Sequence, residues 1–347
     1  MADKSRPTLR TVADHLGIHC ATVSRALRSD TRITEAVRKQ VKKAADKLGY
    51  KRDAKLSELM KHLRSSKQRC YQGTVAWITN LDPADADTKA MIDQFLPPAQ
   101  KKAEELGYKL DTFFQVKPSD APKLARIFRA RGIHGVWASI FWEVDYDDWK
   151  WDWKKFAFIH HGAEPKRRIV DVVDADDRQN IQHLYESLAA RGYQRIGVAT
   201  TDHLESEALF ELTAGRTRFA MQNPAHPAFE PCLIKALNVA GAAKIAKWIK
   251  KHKVDCIVSR WRGMTDLLKS IGYKVPTDIG LAYVTVRPDG GTQHHASGID
   301  VNAAMIASTA IDTLIAAVEH RRFGFPALPR QTLVPGKWHQ GDTTKCV

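Results

Sequence analysis

The segment from Thr8 to Leu27 predicts two short helices separated by a tight turn, and this spacing constrains the fold more than any other feature of the chain. The first half has the apolar period of an amphipathic helix, with Leu9, Val12, Ala13 and Leu16 on one face. Gly17 can adopt the left-handed conformation that ends such a helix, and the second helix follows Ile18 and His19. A turn of three residues between two short helices is typical of the helix-turn-helix, whose second helix fits the major groove of DNA.

A third helix is predicted to begin after Thr34, which would cap it, and to end at Gly49. Its apolar residues should cover the first two helices: Ala36, Val37, Val41, Ala44, Ala45 and Leu48. The first 50 residues therefore predict a small all-α head.

Positive charge is concentrated in the same part of the chain. Residues 1–69 contain 18 Lys or Arg and seven Asp or Glu, so one-fifth of the length carries +11 of the formal net charge of +15. The rest of the chain is nearly balanced, with 36 basic and 32 acidic residues. This distribution favours a polyanionic partner. Basic runs also occur on ordinary solvated helices, so charge and spacing alone leave DNA binding and a purely structural head equally open.

The string TLRTVADHLGIHCATVSRAL, from Thr8 to Leu27, resembles the start of the lactose repressor/galactose repressor family of bacterial transcription regulators. The similarity continues through Ile33-Thr34, Val37-Arg38 and residues 44–50. It implies a homodimeric, sequence-specific regulator, most often a repressor, that binds a palindromic operator in double-stranded DNA. It also implies three parts: a helix-turn-helix domain over 1–50, a hinge helix and linker over 51–72, and an effector-binding and dimerisation body over 73–347.

The resemblance carries roles over to individual positions of the head. The residues expected to contact DNA bases are Arg10, Cys20, Ala21 and Arg25. The residues expected to contact DNA phosphates are Thr8, His19, Thr22, Ser24, Arg28, Thr34 and Tyr50. Because an arginine can bond both acceptors of a guanine, we expect one strong guanine preference per half-site. The family generally has Ser where His19 stands, and His is a poorer helix cap, so His19 either donates to a phosphate or leaves the helix start frayed until DNA binds.

Residues 51–60 align with the hinge helix of the family, which folds on the operator and inserts a leucine into the minor groove. The alignment puts Leu59 at the wedge and Met60 beside it. Two departures occur here, since Arg52-Asp53 stands where Pro-Asn is usual and Leu56 replaces a small residue. The alternative interpretation is that these apolar residues form one face of an ordinary, longer helix.

From Gly73 onward, short apolar runs alternate with amphipathic stretches, which favours parallel sheets with helical crossovers. The order resembles the family's effector domain, two Rossmann-like lobes similar to periplasmic sugar-binding proteins with a ligand in the cleft between them. Chain crossings are expected near residues 192 and 295. Lobe one would then comprise about 73–191 and 296–325, and lobe two about 192–295 and 326–345. Predicted strands are 74–79, 108–114, 133–139, 156–160, 196–200, 256–259 and 279–284, and predicted helices include 91–106 and 121–131.

The resemblance implies a small-molecule effector in this cleft. Its candidate contacts are Asn80, Trp137, His160, Leu212, Arg260, Trp261 and Thr285. Two polar anchors of the family are missing, because Leu212 stands where an Arg-x-x-Gly motif has its arginine, and Val284-Thr285-Val286 replaces an acidic pair. An ordinary sugar is therefore in doubt as the ligand. Five of the nine tryptophans lie between Trp137 and Trp153, where they could stack on a ligand but more often serve packing or a subunit contact.

Neither catalysis nor a metal site is predicted. The chain has no Gly-x-Ser-x-Gly, no phosphate-binding Gly-rich loop and no His-Glu-x-x-His, and the acidic group at Asp174, Asp176 and Asp177 suits a cap for a helix near Gln179. No cofactor besides the effector is expected. The five scattered cysteines indicate reduced thiols. With no apparent signal peptide or membrane span, we expect a cytoplasmic protein without a membrane partner.

Two alternatives stay open from the sequence. In the first, the chain is a DNA-binding regulator without an effector, in which the cleft is vestigial and a partner protein supplies the signal. In the second, it is an enzyme or solute binder whose basic head is accidental.

Overall fold

A computed structural model of the chain describes residues 9–27, 33–48, 71–140, 145–162, 165, 167, 169–202, 211–235, 238–261, 263–288 and 295–346. The chain divides into two compact units, a head of residues 1–70 and a body of residues 71–347. None of the described helices combines the length and the hydropathy needed to cross a membrane.

The described part of the head contains three helices: α1 (Leu9–Leu16), α2 (Cys20–Ala26) and α3 (Glu35–Lys47). Their shared core consists of Val12, Ala13, Val23, Ala26, Val41, Ala44 and Ala45, all nearly or fully buried. The predicted helical period is thus confirmed in all three helices. Ala36 is a correction, because it lies on the exposed face of α3 and does not cover the other helices.

Lobe one of the body is built on a six-stranded sheet. Its strands are β1 (Gly73–Thr79), β2 (Tyr108–Phe113), β3 (Gly135–Ile140), β4 (Ala157–Gly162), β5 (Asp171–Ala175) and β11 (Gln331–Val334). They run parallel in the order β11-β5-β4-β3-β1-β2. Its helices are α4 (Ala86–Glu105), α5 (Ala121–Ala130) and α10 (Ala303–Glu319). Helices α4 and α10 bury one face of the sheet, while α5 and the tryptophan-rich turns bury the other.

Lobe two repeats this plan. Its strands are β6 (Ile196–Thr201), β7 (Cys232–Ile234), β8 (Cys256–Ser259), β9 (Gly280–Val286), β10 (Ser297–Asp300) and β12 (Lys337–His339), and its helices are α6 (Asp177–Ala190), α7 (Glu211–Gln222), α8 (Val239–His252) and α9 (Met264–Ser270). The order is β12-β10-β9-β8-β6-β7, with only β12 antiparallel to its neighbour. Helices α6 and α7 cover one face, and α8 and α9 cover the other.

The chain passes between the lobes three times, and the crossings differ from the predicted ones. The first lies at Asp176, because the apolar face of α6 packs on the sheet of lobe two rather than lobe one. The second lies after Asp300, since β10 pairs with β9. The third lies between Val334 and Lys337, because β11 pairs with β5. Residues 177–191 and 296–300 therefore belong to lobe two and residues 326–334 to lobe one, contrary to the predicted division.

Several element bounds also differ from the prediction. Helix α4 begins at Ala86, five residues before the predicted start, because Asp85 caps it by accepting a hydrogen bond from the backbone N–H of Thr88 at 2.8 Å. The helix continues through Pro97 and Pro98. The predicted cap at Asp176 is confirmed, since its Oδ1 accepts from the backbone N–H of Gln179 at 2.9 Å. The short strands β5, β7, β10, β11 and β12 were not predicted.

The tryptophan-rich segment is largely accounted for by packing. Trp137 is fully buried and stacks on Trp77, with ring centroids 5.0 Å apart. Trp149 and Trp151 are buried in the cluster between the sheet and α5, and Trp153 packs against its edge. Trp142 lies outside the described residues. Cys232, Cys256 and Cys346, the cysteines whose side chains the structure describes, are all free thiols.

Candidate functional site

The turn between α1 and α2 consists of Gly17, Ile18 and His19, so the predicted spacing of three residues is confirmed. Gly17 adopts a φ of +66°, which side-chain-bearing residues rarely adopt. The backbone N–H of Ile18 donates to the carbonyl of Ala13 at 3.1 Å, which ties the turn to α1. This geometry fixes the direction in which α2 leaves the turn.

Helix α2 is anchored from its inner face and exposed on its outer face. Val23 and Ala26 are buried in the head core, whereas Arg25 is exposed and Thr22 is half-buried. The helix begins without a side-chain cap, because His19 occupies the N-cap position and its imidazole makes no capping hydrogen bond. The exposed imidazole of His19 and the guanidinium of Arg25 are therefore both accessible from solvent.

The predicted DNA contacts fall into three groups. His19, Thr22, Arg25 and Thr34 are described together with their side chains, and Thr34 occupies the N-cap of α3 without a capping side-chain bond. Arg10, Cys20, Ala21 and Ser24 are placed on α1 and α2, but their side chains are not described. Thr8, Arg28, Tyr50, Leu59 and Met60 lie outside the described residues. The structure therefore places His19 at the N-cap, Thr22 in the first turn and Arg25 in the last turn of one short helix, and leaves the other roles as predictions.

In lobe one, a buried polar group lies at the carboxyl ends of β3, β4 and β5, the edge where parallel sheets bind ligands. His161 Nδ1 lies 2.6 Å from Ser139 Oγ, and its Nε2 lies 3.7 Å from a carboxylate oxygen of Asp174. Burial, together with the neighbouring His160, lowers the pKa of His161 to about 3. The imidazole is therefore neutral, and the tautomer decides whether its Nδ1 or the Ser139 hydroxyl donates in this hydrogen bond.

In lobe two, a charged group lies at the corresponding edge. Arg260, which follows β8, is mostly buried, and its Nη2 lies 3.7 Å from Asp177 and 3.6 Å from Glu211. Both distances exceed hydrogen-bond length, and within the described chain Nε and Nη2 of Arg260 have no hydrogen-bond partner. Burial raises the pKa of Asp177, against the opposing effect of the Arg260 charge. The two carboxylates thus balance the positive charge of the Arg260 guanidinium, but its Nε and Nη2 atoms have no hydrogen-bond acceptor among the described residues.

The three crossings between the lobes are tied to one another. The backbone N–H of Asp176, in the first, donates to the carbonyl of Val334 at 2.9 Å. Gly336, in the third, donates to Asn180 Oδ1 at 2.7 Å. An added Cβ at Gly336 would lie 2.6 Å from the carbonyl oxygen of Asp300, in the second crossing. The connections between the lobes therefore form one packed joint beside the cleft.

Comparison with known proteins identifies the head. Residues 8–53 match the family model described as "Bacterial regulatory proteins, lacI family". The head is therefore similar to the DNA-binding segment of this family. Its members are DNA-binding transcriptional regulators, and the matched residues include the whole of the turn and α2. The chain matches no curated protein sequence.

Solved structures support the fold of the whole chain. The transcriptional regulator CelR in complex with cellobiose shares 16% identity over 97% of this chain and 100% of its own, with a TM-score of 0.57. The lac repressor dimer bound to operator and the anti-inducer ONPF shares 14% identity over 99% of this chain and 100% of its own, with a TM-score of 0.56. The transcription regulator CcpA of Lactococcus lactis shares 12% identity over 80% of this chain and 100% of its own, with a TM-score of 0.59. At these identities the likeness shows the fold: a helix-turn-helix head and a two-lobed body similar to periplasmic binding proteins.

Three of the seven predicted effector residues have no exposed surface. Trp137 lies in the core of lobe one and Leu212 in the core of lobe two. His160 is fully buried, with its Nδ1 2.6 Å from the hydroxyl of Tyr146. Since buried side chains cannot touch a ligand without rearrangement, these three positions are corrected to structural roles in this arrangement.

The other four predicted effector residues retain some exposure. Thr285 is exposed on β9, Asn80 is half-buried after β1, and Arg260 and Trp261 follow β8. The sequence places His160 and His161 together at the cleft-side end of a strand, where either could donate to a ligand, and the structure puts His161 in the polar group there. Sequence reasoning missed Ser139, Asp177 and Glu211 as members of the polar groups at the cleft edges. Their positions at strand ends and helix starts were the only available signal. Within the described chain, no three His, Cys, Asp or Glu side chains form a metal site.

Proposed function

We propose that the protein is a homodimeric repressor that reads a palindromic operator with α2 and is controlled by a small molecule bound between its lobes. The observation that carries this proposal is the exposure of Arg25 on a helix that follows a turn of three residues in the matched segment. Arg25 would read a guanine through its O6 and N7 atoms, with Arg10, Cys20 and Ala21 completing base recognition.

The remaining head positions would hold the duplex rather than read it. Phosphate contacts are assigned to Thr8, His19, Thr22, Ser24, Arg28, Thr34 and Tyr50, and minor-groove insertion to Leu59 and Met60. The uncapped start of α2 supports the role of His19, because an N-terminal backbone N–H group left without a side-chain cap is free to bond a phosphate oxygen.

Footprinting and gel shift on the promoter beside the protein's own gene test the proposal. The expected result is a protected palindrome, since two copies of one head read symmetric half-sites about one helical turn apart. Arg25→Ala should weaken operator binding by about 10-fold or more, because a bidentate arginine contributes roughly 1–3 kcal/mol of base discrimination. Wild-type affinity after this change would refute the base-reading role.

The effector would act by binding one lobe arrangement more tightly than the other, and it can shift operator affinity only by the ratio of those two affinities. The packed joint of the three crossings supports a relative motion of the lobes as the two-state element. The unsatisfied donors of Arg260 and the exposed Thr285 would offer polar contacts to a ligand other than an ordinary sugar.

A second function is favoured by the burial of Trp137, His160 and Leu212. In it, the protein regulates transcription without an effector, and a partner protein supplies the signal. Thermal shift against a metabolite panel separates the two, because a ligand at 100 times its dissociation constant adds about 2.7 kcal/mol to stability. A specific shift supports effector control, whereas no shift across a broad panel supports the partner-driven alternative.

A further inference from the structure

All strands of lobe one begin at one edge of the sheet, which we call the amino edge. It is opposite the carboxyl ends that face the cleft. Tyr71, the first described residue of the body, lies at this edge, with its hydroxyl 2.8 Å from Thr74 Oγ1. The described part of the body therefore begins at the amino edge.

Five cations from three separate parts of the chain lie at the amino edge, and we call them the basic cluster: Arg129, Lys154, Lys155, Arg321 and Arg322. All five are exposed. Packing brings their segments together, because Gly324 donates its backbone N–H to the carbonyl of Phe156 at 2.9 Å and the ring of Phe325 lies 4.7 Å from that of Trp153. The imidazole of His134, just before β3, stacks on Phe323 at 5.7 Å.

The basic cluster carries more positive charge than its neighbours neutralise. Among its members, only Lys155 forms an ion pair with a described residue, Asp152, at 2.5 Å. The pKa of Asp152 is lowered chiefly by this hydrogen bond, with further contributions from the charges of Lys155, Arg129 and Lys154. Glu319 is the other exposed acid on these segments, and exposed Glu104 and Glu105 lie at the same edge, at the end of α4. Nearby Asp111 and Asp171 already pair with cations outside the cluster.

Some of this charge has a structural use. Arg129 lies in the last turn of α5, and Arg321 and Arg322 follow the end of α10, where cations stabilise the helix dipole. Lys154 and Lys155 lie on a single 3-10 turn and cap no α-helix. The concentration is also local, because residues 70–347 as a whole are nearly balanced in charge. A surface of this kind is complementary to a polyanion.

We propose that the basic cluster binds the phosphate backbone of DNA flanking the operator, so that the body as well as the head contacts the duplex. This inference rests on the proposed function. The 22 residues from 49 to 70 join the described head to the described body, and a chain of that length spans at most roughly 80 Å. A head that holds its operator would thus tether the body within that length of the duplex, where contacts too weak to act alone become effective.

The test uses the full-length protein and two duplexes. The short duplex ends at the protected palindrome, and the long duplex extends it by roughly 20 bp, about two helical turns, on each side. The variant is Lys154→Gln/Arg322→Gln. The matched control is Lys247→Gln/Lys250→Gln, which removes the same charge from exposed positions on α8 in lobe two. Operator affinity is measured against salt concentration for each combination.

We expect the wild type to bind the long duplex more tightly and with a steeper salt dependence than the short one. In the variant, the slope of log K against log salt on the long duplex should fall by about 0.9 for each phosphate that is no longer neutralised, with no change on the short duplex. The control should match the wild type on both.

Three results would overturn the inference. Equal salt slopes for variant and wild type on the long duplex would show that the cluster neutralises no phosphate. Equal decreases in variant and control would show a general field effect. An unchanged slope together with weaker binding to an acidic partner protein would assign the surface to that protein. If the wild type binds neither duplex, the proposed function itself fails, and this outcome is distinct from the others.

Discussion

The Nδ1 atom of His161 lies 2.6 Å from the Oγ atom of Ser139, and both side chains are buried at the carboxyl end of the lobe-one sheet. The ring of Phe95 packs 4.7 Å from the imidazole. This environment accommodates a neutral imidazole and disfavours a charged one. A proton therefore cannot be added to His161 without a cost in stability.

The stability of the body should fall in acid because of His161. Burial and the His160 neighbour lower its folded pKa to about 3, below the usual value of 6.5, so the unfolded chain binds the extra proton between these values. The contribution of His161 to the free energy of unfolding is then fully present above about pH 7. It is lost as the pH falls toward 3, by at most about 1.4 kcal/mol per pH unit. Urea unfolding monitored by tryptophan fluorescence measures it, since all nine tryptophans lie in the body.

His161→Gln should flatten that pH dependence while lowering stability at neutral pH, because a side chain that does not titrate replaces the imidazole. His295→Gln is the control, since this histidine is exposed and pairs only loosely with exposed Asp342. An equally steep acid loss in His161→Gln and in the wild type would show that other groups cause it.

Gly17→Ala should weaken the head without any steric clash. An added Cβ meets nothing within 4 Å, but the φ of +66° costs a side-chain-bearing residue roughly 1–2 kcal/mol. We expect weaker operator binding with an unchanged tryptophan-monitored unfolding of the body. Gly17→Asn should be milder, because asparagine tolerates the left-handed region better than alanine. Identical binding by both variants and wild type would contradict this account of the turn.

Asp171→Asn should loosen the attachment of β11 to lobe one. The Asp171 carboxylate accepts from the backbone N–H of Arg330 at 2.9 Å and from its guanidinium Nε and Nη2 at 3.2 and 2.5 Å. An uncharged amide oxygen accepts weaker hydrogen bonds than a carboxylate oxygen does. We therefore expect a decrease of about 1–2 kcal/mol in the free energy of unfolding. Asp147→Asn, in the exposed pair with Arg167, should cost less than about 0.5 kcal/mol. Equal effects would argue against a special role for Asp171.

Gly336→Ala should destabilise the joint between the lobes. The new Cβ would approach the carbonyl oxygen of Asp300 to 2.6 Å and Asn180 Oδ1 to 3.0 Å, and backbone cannot move aside as a flexible side chain can. Overpacking of this kind costs about 1–3 kcal/mol, measured by urea unfolding. Gly73→Ala is the matched control, because its Cβ would make an ordinary contact with Tyr108 at 3.4 Å. A joint that tolerates both changes equally would be looser than the structure indicates.

The sequence predicted the head well because its signals are local. The period of Val12, Ala13 and Leu16, the turn residue Gly17 and the buried Val23 all lie within a few residues of one another. Helix period and turn chemistry operate at that range, so no distant contact was needed to identify the three helices. The buried strands β1, β3, β8 and β9 were also predicted within a few residues, because they are continuous apolar runs.

The sequence by itself determined the helix-turn-helix, the concentration of charge near it and the alternation of strands and helices. Only the tertiary structure decided which lobe holds β10 and β11, and that Trp137, His160 and Leu212 are buried rather than exposed in the cleft. The physical reason is that strand pairing and burial depend on partners more than 100 residues away, as in the pairing of β11 with β5. A local pattern specifies that a segment forms a strand, but not the neighbour with which it pairs or the surface that covers it.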